Sequence, residues 1–160
     1  MKKHEFCIQC RKAEFPAFVR VLKALPQNRL DYRPDPKART AAELAWVLAT
    51  EEVALLNLLD KGTVEWKEEK PPSSVDEIVS VYERNAKAVT ERLEKLDETD
   101  WQKKGKFLMG GATAWETTID GFVWGFLFDG VHHRGQLSTY LRPMGGKVPS
   151  IYGPTADEAG

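Results

Sequence analysis

Apolar residues return along the chain at intervals of three and four in four long stretches, the spacing that gathers them on one face of a helix. The first stretch, residues 3–25, carries Phe6, Cys10, Ala13, Ala17 and Val21 on one stripe, with Phe18, Leu22 and Leu25 beside it. Pro16 lacks a backbone donor in mid-pattern, which predicts a kink or two abutting helices, and Pro26 ends the run. A proline-punctuated polar loop follows over 26–39. Thr40-Ala41-Ala42-Glu43 is a capping box, with hydroxyl and carboxylate three residues apart, and opens a second helix over 40–59. Leu44, Val47, Leu48, Glu51, Leu55 and Leu58 share its face. After a charged loop ending in Pro71-Pro72, Ser74 to Glu77 repeats the capping pattern. It opens a third helix over 74–97, through Ile78, Val81, Tyr82, Ala88, Val89, Leu93 and Leu96.

The connection 97–113 holds Trp101, Phe107 and Leu108, too apolar for a free linker, and is expected to pack over one end of the helices. Thr113-Ala114-Trp115-Glu116 reads as a third capping box, opening the last helix over 115–142, roughly 40 Å long at ~1.5 Å per residue. Ile119, Phe122, Phe126, Asp129, His133, Gln136 and Tyr140 form one face of it, widened by Val123, Leu127, Val131, Leu137 and Leu141. No alternating pattern calls for a sheet and no repeat is present. The expectation is one all-α domain over residues 1–160, a four-helix bundle whose long connections leave its topology open.

Three charged or titratable residues interrupt these faces. Asp129 and His133, at i and i+4, leave the helix on one side about a turn apart, close enough to share a metal ion or to bond each other. Glu51 breaks the second helix's stripe in the same way, one turn beyond Val47. Two carboxylates and one imidazole with open positions suit Fe(II), Mn(II) or Zn(II). The competing reading is a metal-free Asp–His hydrogen bond. His132 points about 100° away from His133 and reads as a neighbouring or interface residue. Arg134 is expected to pair with an acidic group or a helix end. Gln136, on the inner stripe, could donate to a ligand carboxylate. Trp46, Phe122, Trp124, Phe126 and Phe128 read as core or dimer face, with Trp124 and Phe128 the candidates for a homodimer contact.

Composition narrows the function classes. The 160 residues hold 23 Lys+Arg against 24 Asp+Glu, and Lys103, Lys104 and Lys106 make only a short basic loop. Nothing here forms a polyanion-binding surface, so no nucleic-acid partner is expected. The absence of an 18-residue uncharged run, and a polar start at Met1-Lys2-Lys3, lead us to expect a soluble cytoplasmic protein without membrane contact. Cys7 and Cys10 form C-I-Q-C without a preceding strand or further ligands. They read as helix-packed thiols in a reducing compartment.

His132-His133-Arg134-Gly135-Gln136-Leu137, then Tyr140-Leu141-Arg142, Gly145, Val148-Pro149 and Tyr152-Gly153, resemble the closing signature of the DinB-like (DinB/YfiT) superfamily. Thr40 to Glu52 resembles its metal-bearing second helix. The resemblance implies a four-helix bundle with a long crossover, often dimeric, and a divalent-metal site (Zn, Ni, Fe or Mn) of three histidines. It also implies metal-dependent thiol transfer, isomerisation or hydrolysis, with a small-molecule ligand held between helices. Carried over by position, His133 matches the last histidine, Asp129 stands where the family has its i−4 partner, and Val47 stands at the second-helix ligand (Trp46 if the register is one off). The set is thus degenerate. Two further readings stay open beside the enzyme: a metal-free ligand-binding bundle and a dimerisation module.

Overall fold

The computed structural model describes residues 2–159. Four long helices, α1 (Lys3–Lys23), α2 (Ala41–Lys61), α3 (Val75–Leu93) and the last, Ile119–Leu141, form the bundle. Between them lie β1 (Thr63–Trp66), a one-turn helix α4 (Glu98–Gln102), β2 (Lys104–Met109) and β3 (Ala112–Thr118), which make the last long helix α5. Thr40 caps α2 in both directions: its hydroxyl accepts from Glu43 N–H at 3.2 Å, and its own N–H donates to Glu43 Oε2 at 2.7 Å. Gly62, at φ +69°, closes the same helix in the left-handed conformation that favours glycine. The Ser74 hydroxyl accepts from Glu77 N–H at 3.3 Å and starts α3. α1 runs as one helix through Pro16.

α1 packs on α3 and α5, and α2 packs on the same two helices. The ring order is therefore α1-α3-α2-α5, with α1 and α2 on one diagonal and α3 and α5 on the other. Only α2 and α3 are both consecutive and adjacent, which is why the connections 24–40 and 94–118 have to be long. Among the described residues no helix is long and apolar enough to cross a membrane.

The all-α expectation needs correction. A three-stranded sheet of order β1-β2-β3 covers one end, β1 parallel to β2 and β2 antiparallel to β3. Gly110 (φ +59°) and Gly111 (φ +79°) turn the hairpin; two consecutive left-handed residues are what a tight two-residue hairpin loop demands. Thr113 to Glu116, read above as a helix start, lies on β3. The hydroxyl that caps α5 belongs to Thr118, which accepts from Gly121 N–H at 3.2 Å. The last helix thus begins four residues later than its sequence pattern suggests, and α3 stops at Leu93 rather than near 97. The connection does pack on the bundle, through fully buried Trp101.

β3 is pinned to α5 by Trp115, whose ring centroid lies 4.2 Å from that of Phe122. The indole fits because residue 125 is glycine: a Cβ there would sit 2.2 Å from Trp115 Cη2. Gly125→Ala should gain up to about 1 kcal/mol of helix propensity but lose about 1–3 kcal/mol to overpacking. The expected result is a net loss in urea denaturation, with tryptophan emission shifted to the red. An unchanged spectrum and midpoint would mean that the indole relocates freely.

The apolar interior is split in two. One cluster joins Phe18, Leu22, Leu44, Leu48, Ile78, Tyr82, Leu137 and Leu141; the other joins Cys7, Leu55, Leu58, Val89, Leu93, Trp101, Phe122 and Phe126. Between them three of the four long helices change character: Arg11 and Glu14 on α1, Glu51 and Glu52 on α2, Asp129 to Arg134 on α5. That polar layer is where the chemistry sits. Cys7, on its edge, is held neutral because burial pushes its thiol up to about 12.

A candidate metal centre in the polar layer

Glu51 and Glu52 are neighbours on α2 and so point about 100° apart. Glu52 turns toward α1, where Arg11 Nη2 donates to its Oε2 at 2.6 Å. Glu51 turns toward α5 and is 5% exposed. Gly130 on α5 faces it: a Cβ there would meet Glu51 Oε2 only in ordinary contact, at 3.7 Å, but would crowd the Phe18 ring at 3.2 Å. Across the gap, His133 Nε2 lies 3.7 Å from Glu51 Oε1 and 3.6 Å from Asp129 Oδ2. One donor atom from each of the three lies within 4.8 Å of the other two.

The electrostatics are unusual for a protein interior. Burial pushes the Glu51 carboxyl well above the usual carboxylate range, and the hydrogen bond and negative charge of Asp129 push it further the same way. Among the described residues no lysine or arginine makes an ion pair with Glu51; His133 is its partner. Opposite Glu51, His133 Nδ1 donates to Gln136 Oε1 at 2.9 Å. That bond occupies Nδ1 and leaves Nε2 as the nitrogen turned to the two carboxyls, the one an imidazole would offer a metal. Two carboxyls drawn together with no lysine or arginine paired to either among the described residues, and an imidazole nitrogen aimed between them, fit a divalent ion of the Zn(II), Fe(II) or Mn(II) class.

The other residues singled out by sequence fall into different places. Asp129 was expected on the inner apolar face; its side chain is instead 56% exposed and stands at the mouth of the site. Gln136 is also exposed rather than inward, and accepts from His133 instead of donating to a carboxylate. Val47 is half-buried in a groove with Trp46, Thr50 and Trp66 and brings no donor atom. His132 is exposed, its ring centroid 5.3 Å from that of His133. Arg134, only 2% exposed, turns away from the centre: it binds Glu14 and the Tyr152 hydroxyl and stacks over Phe18 at 4.7 Å.

Sequence reasoning missed Arg11, Glu14, Glu52 and Tyr152. The stripe drawn through Phe6, Cys10 and Ala13 is one residue off: Phe6 is 48% exposed, and the inward face runs His4, Cys7, Arg11, Phe18. The spacing of 4, 7 and 11 was there to be read, but two of those three residues are polar, which made the face look solvated.

The fold and site together define a helical-bundle protein with a histidine–carboxylate cluster between its second and last long helices. The chain belongs to the DinB family, whose sequence profile matches residues 11–159. A DinB-like protein from Bacillus cereus ATCC 10987 is 22% identical and superposes with a TM-score of 0.78, covering 92% of this chain and 97% of the other. YfiT from Bacillus subtilis, described as a probable metal-dependent hydrolase with an unusual four-helix bundle topology, is 15% identical, with a TM-score of 0.71 over 92% of this chain and 91% of that one. A mycothiol-dependent maleylpyruvate isomerase is 12% identical, with a TM-score of 0.59 over 94% of this chain and 66% of its own. At these identities the likeness is one of fold. No curated protein matches the chain.

Proposed function

We propose that this protein is a divalent-metal-dependent enzyme of the hydrolase or thiol-transferase type, with Glu51, Asp129 and His133 holding the ion. The observation that carries the reading is the convergence of these three donors from α2 and α5 within 4.8 Å, with no lysine or arginine paired to the buried Glu51 among the described residues. A divalent ion bound there supplies Lewis acidity, lowering the pKa of a coordinated water or thiol and polarising an electrophile. The chain's own residues set the conditions: Glu51 gives a desolvated anionic wall, Gln136 orients His133, and Asp129 marks the side open to solvent. Family membership, and the metal- and thiol-dependence ascribed to two proteins of the same fold, support it from outside.

Val47 favours a second reading, a metal-free ligand-binding bundle, because an apolar residue stands at the α2 position matching a family ligand. One experiment separates the two. Protein purified without chelator or affinity metal is assayed for bound metal, then titrated with Zn(II) and Mn(II) by calorimetry. One ion per chain is expected, and Glu51→Gln should weaken binding at least ~10–100-fold, the change that even a group behind the ligands typically brings. Failure of the parent to bind Zn(II), Mn(II), Fe(II) or Ni(II) would leave the metal-free bundle standing.

A further inference from the structure

The exposed face of the candidate centre opens onto an apolar groove, walled on one side by the β2–β3 hairpin and on the other by α5. Met109, Trp115, Phe126 and Phe128 line it, and Asp129 and His132 are its polar residues. Met109 is 54% exposed and Phe128 64%, a large apolar area for solvent to face. Trp115 is locked against α5 by Gly125 and so presents a fixed ring face rather than a mobile one. The groove ends at Asp129, whose Oδ2 lies 3.6 Å from His133 Nε2. Glu51 closes the centre from behind, at 5% exposure; solvent reaches it past Asp129 along this groove, and past His133 along a second, more polar one lined by Lys37, Arg39 and Gln136.

We propose that this groove selects the substrate: a small molecule with a flat apolar body, an aromatic ring or its equivalent, joined to the polar group that reacts at the centre. The inference rests on the metal reading above and adds the substrate class to it. Continuity carries it: a concave apolar trough, built by two elements and ending at Asp129, the most exposed of the three residues, fits a ring next to the reacting group. A highly charged substrate would find no counter-charge along it apart from His132, and would meet the Asp129 carboxylate first.

The test compares two chelating probes that share a metal-binding group. Mn(II)-loaded protein is titrated with acetohydroxamic acid, which has no ring, and with 2-naphthohydroxamic acid, which has a large one. The ring should tighten binding at least ~10-fold, in keeping with burial of an aromatic surface. Phe128→Ser and Met109→Ser, both at exposed positions, should each cut that ratio at least ~3-fold while acetohydroxamate affinity stays put. Equal affinity for the two probes in the parent, or a ratio unchanged in both variants, overturns the groove proposal and leaves the metal reading intact. Absence of metal and acetohydroxamate binding overturns both. Sedimentation run alongside covers the other occupant: a parent dimer that Phe128→Ser splits would give this face to a second copy of the chain and sink the substrate assignment.

Discussion

Replacing Arg11 by methionine should destabilise the protein by about 3–5 kcal/mol, the usual consequence of removing one member of a buried ion pair. Arg11 and Glu52 are 6% and 11% exposed at their side chains and 2.6 Å apart, so the variant leaves a carboxylate with neither water nor a cation. Against a total stability of about 5–15 kcal/mol, and at roughly 2–4 °C per kcal/mol for a chain of this size, the melting temperature should fall by on the order of 10 °C. The double variant Arg11→Met/Glu52→Leu should recover most of that loss, because the apolar pair avoids desolvating two charges. Recovery is favoured here because Arg11 Nε is itself buried without a hydrogen-bond partner among the described residues, so the native pair is incompletely satisfied. The exposed pairs give the contrast: Arg20–Glu158, at 47% and 43% exposure, should contribute within ~1 kcal/mol. Urea denaturation of the single and double variants checks the claim. A single variant within 1 kcal/mol of the parent would show that water reaches Glu52.

That ion pair also shows where the sequence stops being informative. Outside the first half of α1, the helix faces were legible wherever apolar residues repeat, and Thr40 and Ser74 cap their helices as the spacing requires. Glu51, Asp129 and His133 were visible because each interrupts an apolar stripe, and an interruption is a local signal. Arg11 was not visible, since a charge on a mixed helix looks like a solvent-facing one until its partner 41 residues away is in place. The sheet failed for a related reason. Thr113 and Glu116 have the spacing of a capping box, but the box is satisfied only if the backbone between them turns helical. Here Gly110-Gly111 folds the chain into a hairpin first, and β1 supplies a parallel partner from more than forty residues away. The glycine pair between two strand-like runs was the available clue. Asp129 lay on the right helix at the right height but further toward solvent than the periodicity implied, because the wide apolar face of α5 serves both the core and the groove.

Val47→His should raise divalent-metal affinity at least ~10-fold over the parent. Residue 47 stands at the level of the site. Leu44 shares a groove wall with Gln136 and Tyr140, whereas Glu51 shares a cavity wall with Phe126, Leu127 and Gly130. Rising numbers on α2 therefore meet falling numbers on α5, and Val47, one turn before Glu51, comes level with His133. A histidine there would join Glu51, Asp129 and His133 to complete four donors, where a change in one group behind the ligands alone typically moves affinity ~10–100-fold. Because the ion binds the folded chain, a tenfold gain corresponds to about 1.4 kcal/mol of added stability at saturating metal. The cost lies in the metal-free state. Overpacking of a core runs to about 1–3 kcal/mol, and a half-buried site beside an open groove should stay near the low end. The metal-free variant should thus melt below the parent, and the zinc-loaded variant at or above the zinc-loaded parent. Calorimetric titration of both proteins with Zn(II), paired with melting curves in chelator and in excess metal, tests each half separately. Equal affinities would place residue 47 out of reach of the ion, and lower affinity would mean that the imidazole displaces Glu51 instead of joining it.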